Sequence, residues 1–382
     1  MNNINFTTPF GIYIHVPFCI RKCSYCDFYS QVYCPAKMSE YIQALKKEIK
    51  TYAGILKYRK IKTIYFGGGT PGLLTPDAAA EILQYINEYF FCKEQLEITL
   101  EANPFSLTKE KVKGYHQCGI NRLSLGVQSF NDDELKLLDR MHSVRKAMRT
   151  LEEVSQVFAN INIDLIFALP GQKFVSWQEN LQQAVKFSPQ HISTYNLEIH
   201  EETPLGKRVN SGELIEIDEE IDARMYLLAR EILTKAGYKQ YEISSFALPG
   251  YEARHNKIYW QFEPYLGLGP AAHSFDGYRR FNNYADTDRY IKMLVGDNLP
   301  IENLTSLNND DLMAEMVIMG LRLIKGVSKN NFRKRFGVCL EDIYQEELDK
   351  LIKRKLLINN ENNLLLSNKG LLLGNQVFME FL

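Results

Sequence analysis

The sequence predicts an α/β fold: an incomplete parallel (β/α)6 barrel, a connecting α+β segment, and a small helical, winged-helix-like C-terminal domain. Three observations predict it. Strand-like and helix-like segments alternate over the first ~200 residues, room for about six units at the usual ~30 residues each. The strand-like segments are mostly apolar, as in a parallel sheet covered by helices. Polar and reactive residues recur where these strands end, the side on which parallel α/β folds bind ligands.

The elements follow in order. Gly11–Pro17 (GIYIHVP) reads as a strand and Ser39–Lys50 as a helix. Ile61–Phe66 is a strand that runs into Gly67-Gly68-Gly69, and Asp77–Tyr89 is helical. Glu97–Glu101, Arg122–Val127, Ile161–Phe167 and Gln190–Glu198 read as further strands. Between them Lys109–Cys118, Asp132–Asp139, Arg145–Ala159 and Ser176–Lys186 have helical spacing. Asp218–Ala236 is helical and ends at Gly237. Residues 240–300, rich in Tyr, Phe, Gly and Pro, predict short strands and loops. Asp311–Ile324 and Glu341–Lys355 are charged helical segments of the tail. The expected divisions are 1–235, 236–305 and 306–382.

Composition narrows the function. The 382 residues are 45% hydrophobic and 24% charged, with a net charge of −1, which gives no push toward nucleic acid or an anionic membrane. The stretch from Ile301 to Leu382 holds eleven Lys and Arg against eleven Asp and Glu, so a winged-helix tail has little footprint for phosphates and is expected to act as a lid or interaction unit. The start, MNNINFTTPF, lacks the pattern of a secretory leader, and no apolar run approaches the ~18 residues of a membrane span. A soluble, cytoplasmic protein whose seven cysteines are not paired as disulfides is expected.

Three of those cysteines crowd into one loop, Cys19-x3-Cys23-x2-Cys26. Iron–sulfur clusters are held by thiolates, usually four. Three thiolates leave one iron of a cubane open to an external ligand with a nitrogen and a carboxylate oxygen. A zinc site, with His15 as a fourth ligand, is the competing reading; structural zinc sites usually add a second distant Cys/His pair, which this sequence lacks. Coincidental thiols are the third. Cys34, Cys92, Cys118 and Cys339 read as free thiols.

Tyr13-Ile-His-Val-Pro-Phe-Cys19-x3-Cys23-x2-Cys26-Asp-Phe28 resembles the cluster loop of the radical S-adenosylmethionine superfamily. Gly67-Gly-Gly-Thr-Pro71 resembles its glycine-rich segment. Glu101 in TLEANP, Gly126-Val-Gln-Ser-Phe130 and Asp164-Leu-Ile-Phe-Ala-Leu-Pro-Gly171 extend the resemblance to the coproporphyrinogen oxidase-like branch, over nearly the whole chain. The resemblance implies a [4Fe–4S] cluster on Cys19, Cys23 and Cys26. It implies S-adenosylmethionine contacts at Tyr13, Gly68, Gly69, Thr70, Glu101, Gln128, Arg140 and Asp164. Chemically, carboxylates suit that ligand's ammonium and ribose hydroxyls, and Arg140 suits its carboxylate.

Two functions compete within this branch. One is the oxidative decarboxylation of coproporphyrinogen III in porphyrin biosynthesis. The other is heme chaperoning, the binding of heme and its transfer to target apoproteins. The oxidase pattern carries a further cysteine where this chain has Phe28, and a longer segment before the first strand. His255-Asn-Lys-Ile-Tyr-Trp260 matches the HNxxYW motif associated with the heme chaperones. Heme chaperoning is therefore the expected function, with heme-accepting apoproteins as partners, an electron donor such as flavodoxin or ferredoxin, and no nucleic acid. His255 is the candidate heme contact; Tyr259 and Trp260 suit a porphyrin face, and His273 is a second candidate ligand. A lone histidine among aromatics is otherwise more often a satisfied structural residue.

Overall fold

The computed structural model describes residue 6, residues 9–56 and residues 60–382. The start of the chain, MNNINFTTPF, which lacks a leader pattern, lies mostly outside the described residues. Six parallel strands form the centre of the sheet: β1 (Phe10–Val16), β2 (Lys60–Gly68), β3 (Phe91–Ala102), β4 (Arg122–Gln128), β5 (Ile161–Phe167) and β6 (His191–Asn196), neighbours in that order. Helices α1 (Pro35–Leu56), α2 (Pro76–Tyr89), α3 (Lys109–Gln117), α4 (Asp132–Leu137), α5 (Val144–Ser155) and α6 (Phe174–Lys186) link them.

The strands are buried on both faces: six of the seven residues of β1 and of β5 are buried. This is why they read as near-continuous apolar runs. α1 begins four residues before the expected start, with Pro35 in its first turn, where a missing N–H costs nothing. It also runs on to bury Tyr52, Ala53 and Leu56. β3 is likewise longer than expected. Its first residues pair with Lys60 and Ile61, and an irregularity, with Gln95 at φ 63°, separates them from the regular register that starts at Thr63↔Glu97.

The sheet does not close. Segments from the connecting region add strands at both edges instead. Tyr265–Leu268 pairs parallel to β1, and beyond it lie antiparallel His273–Phe275, Arg279–Asn283 and Ile301–Ser306. At the other edge Ser245–Ala247 runs antiparallel to β6, followed by Lys239–Gln240. Among the described residues this makes one open twelve-stranded sheet. A partial barrel leaves its strand ends around a wide mouth rather than a packed interior.

The tail consists of helices Asn309–Leu321, Lys329–Phe336 and Leu340–Lys353, a three-stranded antiparallel sheet, and the short helices Asn368–Leu372 and Gly374–Phe378. Asn308 and Asp311 cap the first helix reciprocally, and Gly337 ends the second at φ 78°. Arg322 from this tail lies over the ring of Trp260, 4.8 Å from its centroid. Among the described residues, no helix is long and apolar enough to cross a membrane. All seven cysteines are unpaired.

Candidate functional site

The cysteine loop leaves β1 at Pro17 and is fixed by backbone bonds. Phe18–Cys19 pairs with Gln31–Val32, and the Tyr33 N–H donates to the Cys19 carbonyl at 2.8 Å. Gly69 and Thr70 donate their N–H groups to the Val16 and Phe18 carbonyls, at 2.9 and 2.8 Å. The glycine-rich turn therefore lies directly on the cysteine loop. A Cβ at Gly69 would come within 2.7 Å of the Phe18 carbonyl oxygen, and Gly68 takes φ +105°. Only glycine tolerates both the approach and the dihedral.

Cys19, Cys23 and Cys26 line one cavity of about 470 Å³ at the carboxyl ends of the parallel strands. Gly68, Gly69, Thr70, Glu101, Gln128, Arg140 and Asp164 line the same cavity. Among the described residues, no three His, Cys, Asp or Glu side chains converge on a single metal ion. The three cysteines line a shared space of ligand size.

The cavity carries opposed charges. On one side, the Arg140 guanidinium donates to the Cys23 sulfur at 3.4 Å and to the Gly126 carbonyl at 2.6 Å, and also bonds Asn103. Burial opposes its charge, but Tyr25 and Cys23 outweigh burial and hold its pKa above the ordinary value. On the other side are two buried carboxyls. Glu101 accepts from the Tyr65 hydroxyl at 2.6 Å. Burial, reinforced by Asp164, pushes its pKa up to about 7. Asp164 accepts from Ser124 Oγ at 2.9 Å and Asn162 Nδ2 at 2.7 Å, and burial raises it as well. Two carboxyls that resist ionisation together form a site for a cation, which lowers both.

Two buried side-chain atoms at this cavity lack a partner among the described residues, Arg140 Nε and Gln128 Oε1. Gln128 ends β4 at φ 68°, where the pairing with β5 is irregular, and its Oε1 is buried with no hydrogen bond. A non-glycine residue held in the left-handed region with an unsatisfied amide oxygen is a pattern of ligand-binding positions. A donor on a bound ligand satisfies it.

Tyr13 and His255 lie elsewhere. Tyr13 stacks on Tyr65, with ring centroids 6.2 Å apart, and its hydroxyl bonds His15 Nδ1 at 3.1 Å; it lines a second cavity of about 580 Å³. His255 is buried in the helix Arg254–Trp260, whose first N–H groups are capped by Glu97. Both its ring nitrogens are engaged: Nδ1 with Thr63 Oγ1 and Nε2 with the Tyr259 hydroxyl, each at 2.7 Å. Its ring stacks on Tyr65 at 5.0 Å, and burial drives its pKa down to about 3. His255 thus backs Tyr65, which holds Glu101.

Sequence reasoning did not single out Tyr65, Asn103 or Ser124. Each is one or two residues from a chosen motif position in the chain. Strand periodicity carries the available signal: Tyr65 stands opposite Thr99 and Ser124 opposite Asn162, each partner two residues before the carboxyl that is bonded, Glu101 or Asp164.

Comparison with known proteins agrees with this geometry. The radical SAM superfamily model matches residues 13–184, and the HemN C-terminal domain model matches residues 307–373. The chain is 34% identical to the heme chaperone HemW of Bacillus subtilis over 372 residues, covering 97% of this chain and 98% of that one. It is 34% identical to HemW of Mycobacterium tuberculosis over 375 residues, covering 97% and 94%. It is 32% identical over 377 residues to the mouse mitochondrial radical S-adenosyl methionine domain-containing protein 1, covering 96% and 85%. The solved coproporphyrinogen III oxidase of Escherichia coli superimposes with a TM-score of 0.86 at 22% identity, covering 100% of this chain and 91% of that one, and shows a shared fold.

Proposed function

The chain belongs to the HemW family of the radical SAM superfamily, and on that premise we propose that it is a heme chaperone, which binds heme and passes it to target apoproteins. Full-length identity to proteins named heme chaperones is the observation that carries this reading. Superfamily membership implies a [4Fe–4S] cluster and S-adenosylmethionine. When bound, the cluster supplies low-potential electron transfer.

The residues of the first cavity suit both groups. Cys19, Cys23 and Cys26 would hold the cluster, and S-adenosylmethionine would bind beside it. Arg140, beside Cys23, binds the ligand's carboxylate. Glu101 and Asp164 bind its cationic and ribose groups, and Gln128 Oε1 accepts one donor. Gly68, Gly69 and Thr70 let the backbone approach, and Tyr13 steadies Tyr65 from behind.

The alternative, oxidative decarboxylation of coproporphyrinogen III, has the shared fold in its favour. Phe28 stands against it, in place of the fourth loop cysteine. Anaerobic incubation of the reconstituted protein with coproporphyrinogen III, S-adenosylmethionine and reductant tests the choice. No protoporphyrinogen is expected beyond the control lacking protein; sustained formation overturns the proposal. Partner apoproteins and an electron donor of flavodoxin or ferredoxin type belong to the same reading.

A further inference from the structure

The second cavity lies on the other side of the cysteine loop. Asp27 and Phe28 line both cavities, so this part of the loop is their common wall. Aromatic rings dominate the lining of the second: Tyr259, Trp260, Phe262, Tyr265 and Phe275, with Phe28 at the wall. Phe28 is 64% exposed, a large apolar face open to the cavity mouth. Aromatic side chains exposed at the edge of a cavity mark a place where a ligand removes apolar surface from water. The indole N–H of Trp260 is buried and has no acceptor; a ligand bearing carboxylates can supply one.

Histidine accounting then points to one side chain. The chain has seven histidines, and three stand at or beside this cavity. His255 is closed at both nitrogens, as described above. His15 lines the cavity but bonds the Tyr13 hydroxyl through Nδ1 and the Tyr29 carbonyl through Nε2, at 3.1 and 2.9 Å. His273 lines it, is exposed, and among the described residues makes no side-chain hydrogen bond. It sits at the start of the strand His273–Phe275, pairs with Asn282 in the sheet, and so is carried on a rigid element. Partial enclosure of its ring by the cavity, and then Arg280, hold its pKa below the ordinary value, a direction that favours the neutral imidazole.

We propose that this cavity is the heme seat and that His273, not His255, supplies the axial nitrogen, with Phe28 and Tyr259 covering the porphyrin faces. The proposal rests on the chaperone reading and adds the location and the ligand. Within it, the HNxxYW motif contributes its Tyr and Trp to the seat, and its His joins Tyr259 of this cavity to Tyr65 of the first.

The test is an equilibrium heme titration of the full chain, reading affinity and the Soret spectrum, for wild type, His273→Ala, His273→Gln and His255→Gln. Wild type is expected to bind saturably with a histidine-ligated spectrum. Both His273 variants are expected to lose that spectrum and to bind about tenfold or more weakly. Free imidazole should restore the spectrum to His273→Ala, a rescue that a misfolded chain does not give. His255→Gln should keep the wild-type spectrum. If the His273 variants keep wild-type spectrum and affinity, or His255→Gln alone loses them, the seat is wrong while heme binding stands. If wild type itself shows no saturable binding, the chaperone reading fails and takes the proposal with it.

Discussion

Replacing Glu101 by glutamine tests the electrostatic design of the first cavity, because it separates what the site costs from what it binds. The carboxyl is displaced from 4.5 to about 7, first by burial. At about 1.4 kcal/mol for each tenfold change in proton affinity, holding it ionised costs the fold about 3 kcal/mol above pH 7. The sign follows from linkage. A carboxyl raised in the folded state leaves stability intact below its unfolded value and removes it as pH climbs through the folded one. A neutral amide at this position escapes that cost. It still accepts from Tyr65 but loses a charge-assisted bond, about 1 kcal/mol. Glu101→Gln is therefore expected to stabilise the chain, without S-adenosylmethionine, by about 2 kcal/mol at pH 8. The gain should disappear at pH 5. Denaturant unfolding at the two pH values measures it. The same variant should bind S-adenosylmethionine about ten- to a hundredfold more weakly, and the tightening of wild-type binding as pH rises through 7 should vanish. Equal destabilisation at both pH values would refute the reasoning, since Glu101 would then be an ordinary structural acceptor.

Other outcomes follow from the same geometry. Cys23→Ser should abolish cluster absorbance after anaerobic reconstitution, where wild type takes up about four irons per chain; a retained cluster removes Cys23 from the ligand set. Gly69→Ala drives a methyl to within 2.7 Å of the Phe18 carbonyl oxygen, and should cost about 1–3 kcal/mol in thermal or denaturant unfolding together with most S-adenosylmethionine binding. The C-terminal residues, balanced at zero net charge, should give no salt-dependent shift with nonspecific DNA in a gel assay.

The sheet was legible in the sequence because its parallel strands are short, mostly apolar segments; β1 appears as a near-continuous apolar run, while β4 and β5 intersperse Ser124, Asn162 and Asp164, polar residues that the sheet places at or near the site. The edge strands were not. Ser245–Ala247 and His273–Phe275 are three residues each, too short to show a period; the first is placed by pairing with β6, some fifty residues earlier, and the second by pairing with the neighbouring Tyr265–Leu268. The site divides in the same way. Cys19, Cys23 and Cys26 announce themselves by spacing. Tyr65 reads as one more strand aromatic until its hydroxyl is seen on Glu101. His255 shows the opposite limit: a motif names the residue, but only three-dimensional neighbours reveal that Thr63 and Tyr259 occupy both of its nitrogens.

Heme transfer tests the central claim most directly. The chain, loaded with one heme per chain and freed of excess, is mixed with a heme-free acceptor hemoprotein, and the acceptor's spectrum is followed. A chaperone is expected to take up heme saturably and then surrender it, so that the acceptor spectrum grows as that of the chain decays. Failure to take up heme saturably, or retention of it against excess acceptor, would contradict the account.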